Sequence, residues 1–595
     1  MPNVNTQFEG ATLILPGAYY ADNVKATLPT TPAIVPPMVF IGFGYGGAQN
    51  TNYQHTTATG LSAQLRGGPA AAFVPFIFNP SNQLNGASVV NYINPAANTP
   101  STLTLNDRAG RGVITLTSAN SGTPSNLMQA EVTAGSIGGI DLTLYDAYAN
   151  QQAVGNDLGL PFQLAYTGTG TGTTYSVVTS GGVAISFSVS GSVAAETLTF
   201  QLGTGTYATV TALVEALNGT GYYAANTISG TNGNLPTSAL DAASDVSLPA
   251  ASAGVYTYVN VTAAIGDPVY WVNQYASNLA SAVAVSGITS SPFVPSVAPI
   301  DIGYTYFTGA TNVVPTLQDY ANAFNYALTI SGWTVAADTN EAGIAALGTQ
   351  HAVTASSITE RRYRRFFTGS SVGDTIATTQ ANARGMNAIE ASYVYPGIWR
   401  TNLQTGQNQL YGGLYAAAAC AAMAAGNRVA EPLTSKALVG NGVEVALTTS
   451  QINQLQSAGV ICLRVPQSTG VPTIVSDLTT YQMSNNPEDV FNQQVACRQY
   501  LAYSLIQTAQ PYIGQIDAGV SSLGKIKKAI TSTLNALKYT GPGSSGILSS
   551  WVNSSLVLTY DGATQTVAIT VSVVFVGQNR YITEFVNVQP LNASV

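Results

Sequence analysis

Residues 414–440 read LYAAAACAAMAAGNRVAEPLTSKALVG, and residues 447–465 read LTTSQINQLQSAGVICLRV. The first stretch opens on the longest apolar run of the chain, the 12 residues Leu414 to Ala425, inside an Ala-rich helix over 412–426. Spanning a bilayer takes about 20 such residues, so the run reads as part of a soluble core. The second stretch predicts a helix around Ser450–Ser457 and a strand at VICLRV (460–465). VEVALT (443–448) and TIVSDLTT (473–480) predict further strands on either side. Helix and strand alternate, which is the pattern of an α/β domain whose sheet is covered on its faces.

The same alternation continues upstream. Thr316-Leu317-Gln318-Asp319 opens a helix with Leu317, Tyr320, Phe324 and Leu328 at spacings of three and four. GWTVAAD (332–338) follows as a strand, and a helix starts at Glu341. Downstream, Asn486-Pro487-Glu488-Asp489 combines a cap, Pro at the first helical position and acids in the first turn. That helix is expected to run to about Ala509, and a second from Ser522 to Lys538. Three extended runs then follow: SSLVLTYD, QTVAITVSVVFVG and RYITEFVNVQP. In the second, Val567, Ile569, Val571, Val573 and Phe575 alternate with small or polar residues.

Residues 112–265 differ. Short strand-like runs (GVITLTS, AEVTAG, IDLTLYD, TYSVVTS, VAISFSVS, ETLTFQL) are separated by Gly, Ser, Thr and Asn turns, with one helix from Val210 to Leu217. This spacing predicts a sandwich or small barrel. At the amino end, Thr12, Leu13, Ile14 and Leu15 form a strand-like run before Pro16-Gly17, and AIVPPMVFIGFG (33–44) gives a second strand. The expected organisation is an α+β multidomain chain. It has an extended N-terminal arm (1–30), the N-terminal part of the core (31–111), an inserted β-rich domain (112–265), an α/β domain (266–485) and C-terminal helices and strands (486–595).

Only 8% of the 595 residues are charged, against roughly 25% in an average globular protein. Hydrophobic residues make up 46%, which excludes a disordered chain. A formal net charge of −8 argues against a nucleic-acid binder. The scarcity of ions argues against a heat-adapted enzyme held by ion-pair networks. Isolated domains keep charge on their surfaces for colloidal stability. A neutral surface is expected to face other protein, which points to an assembly subunit. Cys420, Cys462 and Cys497 are widely spaced and give neither a disulfide framework nor a metal signature. The start, MPNVNTQFEG, shows no signal-peptide pattern, so a soluble chain made in the cytoplasm is expected.

The residues give little sign of catalysis. His55 and His351 are the only histidines, and no nucleophile motif frames either. Gly42-Phe43-Gly44-Tyr45-Gly46-Gly47 formally matches a dinucleotide fingerprint after a strand. It lacks the following helix, and no acid occurs between Asp22 and Asp107, so these glycines read as a flexible turn and no cofactor is expected. Two basic windows stand out: Arg361, Arg362, Arg364 and Arg365, and Lys525, Lys527 and Lys528. Together they hold seven of the 19 basic residues. A matching acidic protein surface is their expected target.

The order of these features resembles contractile phage tail sheath proteins and the sheaths of related contractile injection systems. Pro16-Gly17-Ala18-Tyr19-Tyr20 is similar to the family's N-terminal "P-G-V-Y" segment, and AIVPPMVFIGFGYGGA (33–48) to the strand after it. SANSGTPSNLMQAEVTAG (118–135) resembles a motif of the inserted domain, with Ser125 in place of a Gly before Asn126. The 414–440 and 447–465 stretches resemble the Ala-rich helix, its following loop and the next helix–strand pair. SDLTTYQ (476–482) resembles the "g-i-T-T" strand.

The resemblance implies a non-enzymatic structural subunit, without cofactor or metal, that forms hexameric rings stacked into a helical sheath around a tail tube. It implies contraction that drives the tube through the host envelope for genome ejection. It also implies partners in the tube, baseplate and tail terminator proteins, assembly in the host cytoplasm and residence in the virion tail, with no nucleic acid bound and no membrane insertion. Strand exchange between subunits would engage Thr12–Leu15 and the strand carrying Val567, Ile569, Val571, Val573 and Phe575. Lys525, Lys527 and Lys528 would face the tube, and the four arginines would make inter-subunit charge pairs. A surface or fibre-type β-rich protein, S-layer or adhesin-like, is the rival reading. It would share the Gly/Thr/Ser/Asn bias but should carry a signal peptide and lack the α/β segment.

Overall fold

The computed structural model describes residues 6–8, 11–13 and 37–577, apart from the short segments 180–182, 192–193, 204, 229–231, 253, 288–297, 404, 485, 515–519, 542–545 and 563–564. The chain divides into two compact units. One comprises residues 1–44, 49–96 and 314–595, and the other comprises 45–48 and 97–313.

The first unit is built on an eight-stranded sheet. Its strands are β1 (Met38–Ile41), β2 (Asn52–His55), β3 (Val90–Ile93), β4 (Thr334–Ala337), β5 (Arg365–Gly369), β6 (Ala391–Tyr395), β7 (Val460–Arg464) and β8 (Thr473–Ile474). The spatial order is β8-β7-β6-β5-β4-β1-β3-β2. The six strands from β7 to β3 run parallel, and β8 and β2 add antiparallel edges. MVFI, VNYI, TVAA, RFFTG and ASYVY are buried at every position. Parallel strands covered on both faces need such near-continuous apolar runs.

One face is covered by the Gly413–Gly426 helix, in which every residue except Tyr415 is buried. Its alanines let the backbone sit close to the sheet. A Cβ on Gly369 of β5 would collide with the backbone of Gly413, so both positions need glycine. Tyr415 stacks on Phe73 with ring centroids 4.0 Å apart. The opposite face is covered by the helices Leu317–Ala327 and Ala342–Ala355, which pack with Val39, Ile41 and Val335. The helices Ile376–Met386 and Thr449–Gln456 pack beside Tyr393, Val460 and Cys462 on β6 and β7. Thr316 with Asp319, and Thr448 with Gln451, form reciprocal capping boxes that fix two of these helix starts.

Three expected elements differ. VEVALT is a strand only at Gly442–Val443, because Glu444 turns inward and its carboxylate accepts from Gly373 N at 2.6 Å and Gly397 N at 3.1 Å. TIVSDLTT is a strand only at Thr473–Ile474. The single helix expected from Asn486 is two, Pro487–Val490 and Asn492–Ala509, broken at an extended Phe491 that bridges to Leu478.

The second unit is all antiparallel in its sheets and larger than the 112–265 expectation. It contains a body made from Pro100–Asn106, Gly112–Ser121, Met128–Ala134, Ile140–Asp146, Gln151–Leu158, Ala280–Ala284 and Ile302–Tyr306, with the helix Gly266–Tyr275. Between its strands is inserted a second β body, residues 162–261. Two sheets there enclose a core with the helix Val210–Gly219, including Phe162, Ile185, Phe187 and Leu213.

Candidate assembly interface

The C-terminal layer belongs to the first unit. The helices Asn492–Ala509 and Val520–Ala536 pack on each other and on Ile547, Leu548 and Trp551. Ile526, Ile530, Leu534 and Leu537 recur at spacings of three and four and are all buried, so one stripe of the second helix faces inward. Lys525, Lys527 and Lys528 lie off that stripe and are exposed. No acid occurs on the helix, and among the described residues none of the three lysines makes an ion pair. Lys538 is different: its ammonium sits over the Trp551 ring, 5.8 Å from the centroid. The three lysines therefore form an exposed cationic patch without an ion-pair partner among the described residues.

The strand-exchange candidates have partners within the subunit. Val557–Asp561 pairs with Thr566–Thr570, and Leu548–Trp551 with Val573–Phe575. Val567, Ile569, Val571 and Val573 pack against the cluster around Leu501 and Ile530, and Phe575 is buried in it. The long extended run expected over 565–577 is thus two short strands, each in a two-stranded ladder. At the amino end, Ala11–Leu13, which carries Thr12 and Leu13, pairs with Thr6–Phe8. Ile14, Leu15, the Pro16–Tyr20 segment and RYITEFVNVQP lie outside the described residues.

Two of the four arginines are internal, which corrects the expectation of a surface charge cluster. Arg364 and Arg365 are buried, whereas Arg361 is half-buried and Arg362 exposed. Arg364 donates from Nη2 to Ile330 O at 2.5 Å. Arg365 donates from Nη1 to Asn492 Oδ1 at 2.5 Å, and Asn492 Nδ2 donates to Ser392 Oγ at 2.6 Å. This chain of bonds ties β5 and β6 to the first turn of the Asn492–Ala509 helix. Burial lowers both guanidinium pKa values to about 10, and the nearby Asp477 carboxylate opposes the shift at Arg365. Asp477 in turn is raised to about 6 by burial, against the pull of Arg365.

The glycine loop after β1 is also corrected. Gly42 and Gly44 are buried, and the loop is held in place. A Cβ on Gly42 would lie 2.9 Å from that of Ala70, and one on Gly44 would meet the Tyr92 hydroxyl. The loop sits at the carboxyl end of β1 beside β4, where the strand order reverses and α/β folds bind ligands. Here Asp338, just past β4, fills that role from within. Its Oδ2 accepts from Phe43 N at 2.7 Å and its Oδ1 from Tyr320 Oη at 2.6 Å. The Asp338 carboxylate thus ties the start of the glycine loop to the Leu317–Ala327 helix.

No three-residue metal-binding group occurs among the described residues, and no helix there is long and apolar enough to cross a membrane. His351 is buried against Phe324, and burial and the nearby Arg364 push it down to about 3. The three cysteines are free and buried, and burial raises their thiols. Sequence reading missed the buried carboxylate of Asp477 and the half-buried, hydrogen-bonded carboxylates of Asp338 and Glu444. Their signal was available: in a chain with so few charges, Asp338 ends a strand pattern and Asp477 follows one.

No family model matches the sequence. The sequence is 25% identical to the tail sheath protein of Bacillus phage SP01 over 543 residues, covering 89% of this chain and 88% of that protein. The structure superposes on the sheath tail protein of Listeria innocua with a TM-score of 0.57 at 11% identity, covering 92% of this chain and 94% of the other. The fold is that of tail sheath proteins. A second sheath tail protein, from Desulfitobacterium hafniense, gives 0.51 at 11% identity over 94% and 97% of the two chains. Both matches span the β-rich unit as well as the α/β unit, so the shared architecture is the whole multidomain chain.

Proposed function

We propose that this chain is the structural subunit of a contractile tail sheath. It polymerises as stacked hexameric rings around a tail tube and contracts to drive the tube through the host envelope. The observation that carries the reading is the similarity to the Bacillus phage SP01 tail sheath protein along nearly nine-tenths of both chains. The energy for contraction would be stored in the extended lattice at assembly.

The exposed lysine patch is the tube-facing surface in this reading. Exposed charge pairs are worth about 0–1 kcal/mol each, which suits contacts that hold in one state and release in the other. Among the described residues the C-terminal ladders are two-stranded, and their edges would be the places for a neighbour's strand to add. Since Val567 to Phe575 pack on their own subunit, exchange would work through backbone edges and not through those side chains. Contraction is then a rigid-body repacking of subunits that keeps the strand links. Assembly would occur in the host cytoplasm, with the baseplate as starting point and a terminator at the far end.

Negative-stain electron microscopy of the purified chain tests the class. Hollow striated tubes are expected, and a chain that stays monomeric at every concentration would contradict the reading.

A further inference from the structure

The four-stranded sheet of the 97–313 unit runs in the order Gln151–Leu158, Ile140–Asp146, Met128–Ala134, Ile302–Tyr306. Alternation sends Met128, Ala130 and Val132 into the core and leaves Gln129 on the other face. Directly across from Gln129 is Tyr145, and across from Tyr145 is Gln152. Residues 303–306 of the edge strand are exposed, with Tyr304 at 49%. The rings of Tyr145 and Tyr304 meet edge to face, centroids 6.5 Å apart. Tyr145 Oη donates to Asn150 Oδ1 at 3.1 Å, which fixes the turn beside it. Gln129, Tyr145, Asn150, Gln152 and Tyr304 line an open depression of about 480 Å³.

The lining is chemically selective. The five lining residues offer two phenol rings and three carboxamides, with the Glu131 carboxylate beside the Tyr304 hydroxyl at the margin. Carboxamides present donor and acceptor side by side, which matches adjacent hydroxyls. Tyrosine supplies a flat apolar ring with a polar tip, which suits the C–H face of a sugar ring. A phosphate-bearing ligand would require cations, and none lines the site. Glu131 interacts with the Tyr304 hydroxyl, so an acidic sugar would meet a like charge. We propose that this depression binds a neutral polysaccharide, one sugar ring seated against Tyr145 and Tyr304 and its hydroxyls bonded by Gln129, Asn150 and Gln152. The site does not depend on the sheath reading, because it uses only the 97–313 unit.

Affinity electrophoresis of the full chain through gels containing an α-1,4-glucan, a β-1,3-glucan or a galactomannan tests it, with polygalacturonate as the anionic comparison. Retardation by at least one neutral polymer is expected. Tyr145→Ala and Tyr304→Ala should each weaken it about tenfold, the scale of one ring contact. Tyr256→Ala, which removes another exposed tyrosine of the same unit, should leave it unchanged. Thermal unfolding of Tyr304→Ala, a half-exposed position, should match the parent and so separate lost binding from lost fold. The proposal is overturned if no neutral polymer retards the chain, if only polygalacturonate does, or if both tyrosine variants are retarded like the parent. It is also overturned if Tyr304→Ala alters only self-association in sedimentation. Tube formation without glycan retardation would overturn this site and leave the sheath reading intact.

Discussion

Arg365 shows what a single charge does in a chain that has few. It is 4% exposed, bonded to Asn492 and opposed to Asp477, so it joins the central sheet to the C-terminal layer. Removing one partner of a buried charged set leaves the other uncompensated, at about 3–5 kcal/mol. Arg365→Ala is therefore expected to lose about that much in urea unfolding, whereas exposed Arg362→Ala should change stability by less than about 0.5 kcal/mol. The sequence showed the cluster but not its division. The alternation of a strand with its flanking loop, and not the count of arginines, decides which are internal. Asp267 makes the complementary case. It is 1% exposed at the start of the Gly266–Tyr275 helix, and its Oδ2 accepts from Gly159 N at 2.8 Å. Burial raises its pKa to about 6. The folded state then binds the proton more tightly than the unfolded chain, so stability falls as pH rises from about 4 to about 6. Asp267→Asn should match the parent near pH 4 and exceed it by about 3 kcal/mol at pH 7.5, read as a growing gap in melting temperature. A gap that stays constant with pH would contradict the assignment.

At the scale of elements, periodicity found most helices and strands of the α/β part, because buried parallel strands and their covering helices have few alternative readings. It failed where a polar side chain intervenes. Glu444 accepts from two glycine N–H groups where the VEVALT strand ends, and an extended Phe491 breaks the helix expected from Asn486 into two. The Ala-rich helix was legible, but its closeness to β5 was not. That closeness gives a prediction. Gly369→Ala would press a methyl group onto the Gly413 backbone, which cannot rotate away, so a loss of about 1–3 kcal/mol is expected in thermal or urea unfolding. The Val520–Ala536 helix gives another. Its inward stripe fixes its rotation, so the three lysines point outward whatever the assembly state. Replacing Lys525, Lys527 and Lys528 together with Glu should leave the melting temperature within about 1 °C, since exposed positions contribute little. It should abolish co-assembly with the tube in pelleting and microscopy. Unchanged extended sheath–tube assembly would remove the lysines from the interface.

For the whole molecule, the order of motifs along the chain was legible, while the nesting of one β body inside another was not. Pro100–Asn106, Ala280–Ala284 and Ile302–Tyr306 pair with Gly112–Ser121 or Met128–Ala134, and their sequences carry no signal that separates them from the core that follows. The scarcity of charge acts at this scale too. With few charged residues in the chain, subunit contacts in the proposed sheath would depend on apolar area and backbone edges, which salt does not screen. The proposed strand exchange would be the contact most sensitive to the ends of the chain. Residues 1–20 include the Thr6–Phe8 and Ala11–Leu13 strands, which pair only with each other among the described residues and contribute nothing there to the sheet of the first unit. Their removal should leave the fold intact, with an unchanged far-ultraviolet spectrum and melting temperature. In the proposed sheath, rings would rely on lateral packing and should still form, whereas stacking into tubes would need the links between layers. The truncated chain is therefore expected to give single subunits or rings in negative stain, and no tubes, under conditions where the full chain polymerises. Long tubes from the truncated chain would show that the links between layers lie elsewhere, and the open edges of the C-terminal ladders would then be the next to block.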